Sequence, residues 1–193
     1  ADGRLAAGTA DNNNIRHDDL VAKACANASW YYSEKHMSQE FCESTLRSDK
    51  RSVHAEIPDD LAAIALDLLE HAAADAAARV AGQGMIPEIY LEYCRIDYIV
   101  LAQTIPCAGY GGGKGFVVQD PNFYFLCSDK LRNAANDCRE VISLVMTTIP
   151  GMPEDLAKQV EEVSHRASLA KAMVEQMVGV IDDPWLEKYR RSI

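Results

Sequence analysis

The chain contains no apolar run near the roughly 18–20 residues that a helical membrane span requires. A membrane-crossing role is therefore not expected. Basic residues are in deficit: 19 Lys and Arg face 29 Asp and Glu, a formal net charge of −10. A polyanion would be repelled by that balance, so nucleic acid is set aside as a partner. The six cysteines form no CxxC pair, and none stands near a histidine at metal-ligand spacing. Neither zinc nor any other metal or cofactor is expected. Strand signals are nearly missing, and only Phe116-Val117-Val118 has a brief extended character. No Met stands at position 1 and no signal peptide is visible; a start at Ala1 reads as a mature or trimmed product.

What is present suits an ordered domain. At 193 residues and 48% hydrophobic content, the chain is long enough to bury a core. The cysteines lie at 25, 42, 94, 107, 127 and 138, an even number that favours an oxidised framework. Asn27-Ala28-Ser29 is an N-glycosylation sequon. Together these signs favour a secreted, extracellular glycoprotein over a cytosolic protein with six reduced cysteines.

Along the chain, residues 1–14 are small, polar and Asn-rich and read as a flexible leader. Residues 15–52 hold two short apolar-periodic segments, around Asp18–Ala28 and Ser38–Leu46, with Cys25 in one and Cys42 in the other. A disulfide between them would staple a helical hairpin too small to fold alone. The remainder, 53–193, is strongly helical. One stripe runs Ile57, Leu61, Ile64, Leu68, Ala72, Ala76, Val80, with Pro58 suited to a first turn. A second runs Leu91, Cys94, Tyr98, Leu101, Ile105 and stops at Pro106. A third carries Leu131, Ala134, Cys138, Val141, Val145 and Ile149 up to Pro150-Gly151. The fourth carries Leu156, Val160, Val163, Ala167, Ala170, Val174, Met177 and Ile181. The expected fold is all-α: an antiparallel four-helix bundle preceded by the hairpin. One connection, 106–125, is Gly-rich and long enough to suggest a functional loop.

Candidate chemistry is sparse. Gly109-Tyr110-Gly111-Gly112-Gly113-Lys114-Gly115 resembles a phosphate loop but has Ala108 where the first Gly belongs and Gly115 where a hydroxyl belongs. Glu162-Val163-Ser164-His165 matches the Glu-x-x-His element of di-iron bundles, yet those sites need a second copy that the chain lacks. A solvated helix face is the better reading. Asp59-Asp60 reads as a helix start and Asp182-Asp183 as a turn. The five His are scattered, so no Ser or Cys acquires a base, and an enzyme is not expected.

The order of features resembles the plant invertase/pectin methylesterase inhibitor family. Phe41 through Ser52 is similar to its Cys-x-x-x-Leu-x-Ser-Asp-x-x-Ser stretch, read here at Cys42, Leu46, Ser48, Asp49 and Ser52. Leu91, Cys94 and Tyr98 match Leu-x-x-Cys-x-x-x-Tyr, and Asn136-Asp137-Cys138 resembles the fourth cysteine. The resemblance spans about Asp19 to Ile181 and implies disulfides Cys25–Cys42 and Cys94–Cys138. Cys107 and Cys127 are extra to the family pattern and remain to close the long loop.

The resemblance further implies a proteinaceous inhibitor whose partner is a target enzyme. In the invertase branch an Asp-Pro-Lys-Phe loop enters the active-site cleft; here Asp120, Pro121, Asn122 and Phe123 stand in its place. Pro fixes the backbone and Phe supplies an apolar anchor. Asn122 hydrogen-bonds carboxylates but lacks the charge of the family's Lys. The expected function is inhibition of an acid invertase of the cell wall or vacuole. Inhibition of a pectin methylesterase through the bundle face is the alternative, and a non-inhibitory interaction protein is the third. Peptide mapping without reduction should return three linked pairs, 25–42, 94–138 and 107–127; a free thiol at Cys94 or Cys138 would contradict the family assignment.

Overall fold

In a computed structural model, the described residues are 19–31, 37–80, 129–130, 132–133, 135–141, 143–144, 154–177 and 179. Among them the chain is mostly helical, with no strand. The leader, the Leu91–Ile105 stripe, the 106–125 connection, Asp120–Phe123, Cys94, Cys107, Cys127 and Asp182-Asp183 lie outside the described residues.

Helix α1 spans Leu20–Tyr31. It opens on Asp19, whose carboxylate accepts from the Ala22 N–H at 3.2 Å, an N-cap bond. Helix α2 spans Gln39–Arg47, and Ser38 Oγ accepts from the Phe41 N–H in the same way at 3.1 Å. Arg47 in the last turn of α2 reaches back to the Asp19 carboxylate. That guanidinium holds the Asp19 carboxyl below the usual carboxylate range. The Cys25–Cys42 disulfide joins the two helices with Cα atoms 5.5 Å apart. Both cysteines are fully buried, in one continuous core with Val21, Ala24, Ala28, Leu46 and the apolar faces of the longer helices.

Helix α3 spans Pro58–Val80. Pro at the first position loses no hydrogen bond, because that N–H has no partner within the helix. Asp60 closes the start: one carboxylate oxygen accepts from the Glu56 N–H at 2.9 Å and the Ile57 N–H at 3.2 Å. Ile57 thus precedes the helix and is 52% exposed, so the buried stripe begins at Leu61 rather than at Ile57 as the periodicity suggests. Leu61, Ile64, Leu66 and Leu69 are buried, and beyond them the buried positions are Ala73 and Ala76.

Helix α4 spans Glu154–Met177. Arg166 Nη1 donates to the Leu68 carbonyl at 3.2 Å. One cavity is lined by both Leu61 and Met173. Seven residues back along α3 therefore match seven forward along α4, so the two run antiparallel. Helical residues between 129 and 144 also run antiparallel to α4. Asp129 meets Lys171 at 2.6 Å, Asn136 accepts from Ser164 Oγ at 2.9 Å, and Arg139 faces Glu161 at 3.9 Å. Cys138 on this segment is buried and disulfide-bonded, its partner outside the described residues.

Every expected core position of α4 from Leu156 to Val174 is buried. From Leu169 to Gln176, moreover, all eight residues are buried, polar ones included. A helix buried on all sides belongs to a core. Gln176 Nε2 donates to the Ala24 carbonyl of α1 at 2.9 Å, tying the hairpin to this central segment. No helix among the described residues is long and apolar enough to cross a membrane. Replacing Cys25 and Cys42 together by Ser should lower the unfolding free energy by about 2–4 kcal/mol in urea melts; an unchanged midpoint would contradict the role given to the staple.

Candidate functional site

The stretch from Phe41 to Ser52 is where sequence pattern and local geometry coincide. Cys42, Thr45 and Leu46 form the inner face of α2, at spacings of three and four. Phe41, half-buried, packs edge-on against the His165 ring of α4 with centroids 5.3 Å apart. Ser48 ends the helix, its hydroxyl donating to the Thr45 carbonyl at 2.6 Å. Asp49 then caps a short 3₁₀ helix, Lys50–His54, by accepting from the Arg51 N–H at 2.8 Å. The Arg51 guanidinium grips Asp49 in return at 2.6 Å and reaches Asp67 of α3 at 2.7 Å. Hydrogen bonds from Arg51 hold the Asp49 carboxyl below its ordinary value. Ser52 is buried under the turn.

Most residue types at this corner therefore answer a structural demand, while the buried Ser52 Oγ has no hydrogen-bond partner. Leu46 fills the core, Ser48 stops one helix, Asp49 starts the next, and Ser52 is small enough to be covered. What results is a fixed elbow that sets the stapled hairpin against α3.

Other candidates are placed less tightly. Asn27, half-buried on α1, lines a cavity of about 80 Å³ with Lys23, Pro58, Leu61, Met173 and Gln176. Glu162 is exposed and pairs with Arg166 at 2.6 Å, the solvated role expected of it. His165 is only a quarter exposed, held between Phe41 and Glu161, so the solvated-face reading fails for this residue. Among the described residues no cluster of three or more His, Cys, Asp or Glu could hold a metal ion. A charged groove of about 300 Å³ runs between α3 and α4, walled by His71, Asp75, Arg79, Asp155, Lys158 and Arg166.

No protein-family model matches the chain, and no curated protein matches it.

Sequence reasoning missed one polar cluster. Lys171, Glu175 and Gln176 look like the outer face of an amphipathic helix, yet all three are buried. Lys171 Nζ lies 2.6 Å from both Asp129 and Glu175. Burial pushes the Glu175 carboxyl up to about 7. The i, i+4 spacing of Lys171 and Glu175 was readable as a pair, but nothing local says that the pair is covered.

For the elbow, the lowered Asp49 carboxyl sets the sign of its pH dependence. Its stabilisation is present above the ordinary value of 3.8 and is lost as pH falls through the lowered one. Asp49→Ala should cost about 1 kcal/mol near neutrality, the worth of a cap, and the gap should close as pH falls below 3.8 and through the lowered carboxyl. Thermal melts across that range check it; a gap that persists in acid would mean the carboxylate is not the source.

Proposed function

We propose that this chain is a secreted inhibitor protein of the plant invertase/pectin methylesterase inhibitor family, and that its target is an acid invertase of the cell wall or vacuole. The observation that carries the reading is the elbow. The positions named by the family's pattern, Cys42, Leu46, Ser48, Asp49 and Ser52, each take a disulfide, core, cap or covered position in the described chain. A chance match would fall on idle surface positions as readily as on these.

The proposed architecture is an antiparallel four-helix bundle with the stapled hairpin at one end. In an up-and-down bundle the last helix borders the first and the third and opposes both in direction. Helix α4 stands in that relation to α3 and to the 129–144 segment, which supports the proposal. The buried, oxidised Cys138 suits a second disulfide linking neighbouring bundle helices, with Cys94 as its partner in this reading.

On this proposal the protein binds rather than catalyses and needs no cofactor. Asp120, Pro121, Asn122 and Phe123 occlude the cleft: Pro121 limits the backbone freedom lost on docking, and Phe123 supplies buried apolar surface. Asn122 donates hydrogen bonds to the paired carboxylates with which glycosidases work. A second reading, inhibition of a pectin methylesterase through a bundle face, is favoured by the charged groove between α3 and α4.

Titration against both enzymes at mildly acidic pH decides between them. For invertase, Phe123→Ala should weaken inhibition by about 2 kcal/mol, roughly 30-fold in Kd. Asn122→Lys should strengthen it, and Lys158→Glu on the exposed groove should change it little. The pectin methylesterase reading predicts the reverse ranking. Invertase inhibition indifferent to Phe123→Ala would sink the loop mechanism, and inhibition of neither enzyme would leave the interaction-protein reading.

A further inference from the structure

Three charged side chains meet where the 129–144 segment lies against the fully buried stretch of α4, Leu169 to Gln176. Lys171 Nζ is 2.6 Å from Asp129 Oδ1 and 2.6 Å from Glu175 Oε1. The Lys171 and Glu175 side chains are 5% and 3% exposed, whereas that of Asp129 is 40% exposed. Of the two carboxylates Glu175 alone is closed to water, and ionising it places a charge where solvent does not reach, an arrangement the fold resists. Moreover, Glu175 Oε2 is buried and has no hydrogen-bond partner. An ionised Glu175 spreads its charge onto an oxygen to which nothing donates. A proton on that oxygen leaves one ammonium and one carboxylate, joined across the helix–helix contact.

We propose that Glu175 is a proton-operated control on how tightly the 129–144 segment is held to α4. Protonated, Glu175 leaves the Lys171–Asp129 contact without its competition; ionised, it draws on the same ammonium and weakens the hold on Asp129. The geometry suits such competition, because Asp129 is the partner with access to solvent and Glu175 the one without.

The charged groups near this end of α4, among the described residues, come from each neighbouring element. Lys171 shares the helix, and Asp129 belongs to the 129–144 segment. Lys23 of α1 is exposed beside Gln176 at the small cavity. The first turn of α3 brings Asp59 and Asp60, the latter bound to backbone N–H groups. None of these supplies Glu175 Oε2 with a donor.

Burial raises the Glu175 carboxyl from its ordinary 4.5 to about 7, so the folded state binds the proton more tightly than the unfolded chain. The stability it contributes is then full below 4.5 and is lost as pH rises through about 7. This sign is opposite to that of Asp19 and Asp49, whose lowered carboxyls give up their contribution on the acid side. A displacement of that size changes a folding equilibrium by at most about 300-fold. The inference stands apart from the inhibitor reading and concerns only residues within the helical body.

Amide hydrogen exchange of residues 135–141, corrected for intrinsic rates, tests it at about pH 5 and about pH 7.5. In the wild-type chain protection should fall at least about tenfold between the two. Glu175→Gln should reduce that fall to about twofold or less, while Glu70→Gln, at an exposed site on α3, should leave it unchanged. The same fall in Glu175→Gln would overturn the proposal. Asp129→Asn, at the solvent side, offers a second route if the core variant folds poorly. It should give low protection at both pH values, and wild-type behaviour in that variant would overturn the proposal equally.

Discussion

The segment from Leu169 to Gln176 is covered on every side, and the other described elements are arranged by covering it. Helix α3 packs along α4 antiparallel, the 129–144 segment does so on another side and meets the covered stretch at Lys171, and α1 closes a third through Gln176 and the Ala24 carbonyl. A small helical hairpin has too little core to persist alone. Here it gains a core by sharing that of α4, and the Cys25–Cys42 bond limits the freedom of the unfolded hairpin. The staple and the covered helix thus address two halves of one problem, entropy in the unfolded chain and burial in the folded one.

Interior ions are the cost of this arrangement. A helix surrounded along eight residues cannot point its polar side chains outward, so Lys171, Glu175 and Gln176 must find partners inside. Gln176 does so with a backbone carbonyl and Lys171 with two carboxylates. Glu175 is satisfied on one oxygen only, and desolvation displaces its titration toward neutrality. A well-packed apolar residue would often be the more stable choice at such a site.

Periodicity made α3 and α4 legible, because steps of three and four survive in a helix with one dry face. The two shorter segments were legible in the same way, around Asp18–Ala28 and Ser38–Leu46, and the structure adds the caps at Asp19 and Ser38. The stripe misjudged Ile57 because the helix begins one residue later, at Pro58, and a residue before the first turn is not bound by helical spacing. It did not reach Lys171 and Glu175, for a deeper reason. Whether a polar face is covered depends on which elements lie against it, and contacts across some forty residues leave no local periodic trace. The elbow at 42–52 was readable as a pattern; that Cys42, Leu46, Ser48, Asp49 and Ser52 hold a core position, a cap or a covered turn is visible only in the fold. The Asp120–Phe123 segment rests on resemblance alone.

On the proposed reading, an inhibitor of this kind works by presenting a short segment from a scaffold that does not yield, so that little ordering remains to be done on docking. A rigid scaffold is what the covered helix supplies. The most direct test is residue-resolved hydrogen exchange along α4 under native conditions. Amides from Leu169 to Gln176 should be the most protected in the chain, exchanging only with global unfolding, whereas the exposed first turns from Glu154 should exchange by local fraying. Equal and rapid exchange along the whole of α4 would contradict the account, since a helix without a covered stretch could not organise the elements around it.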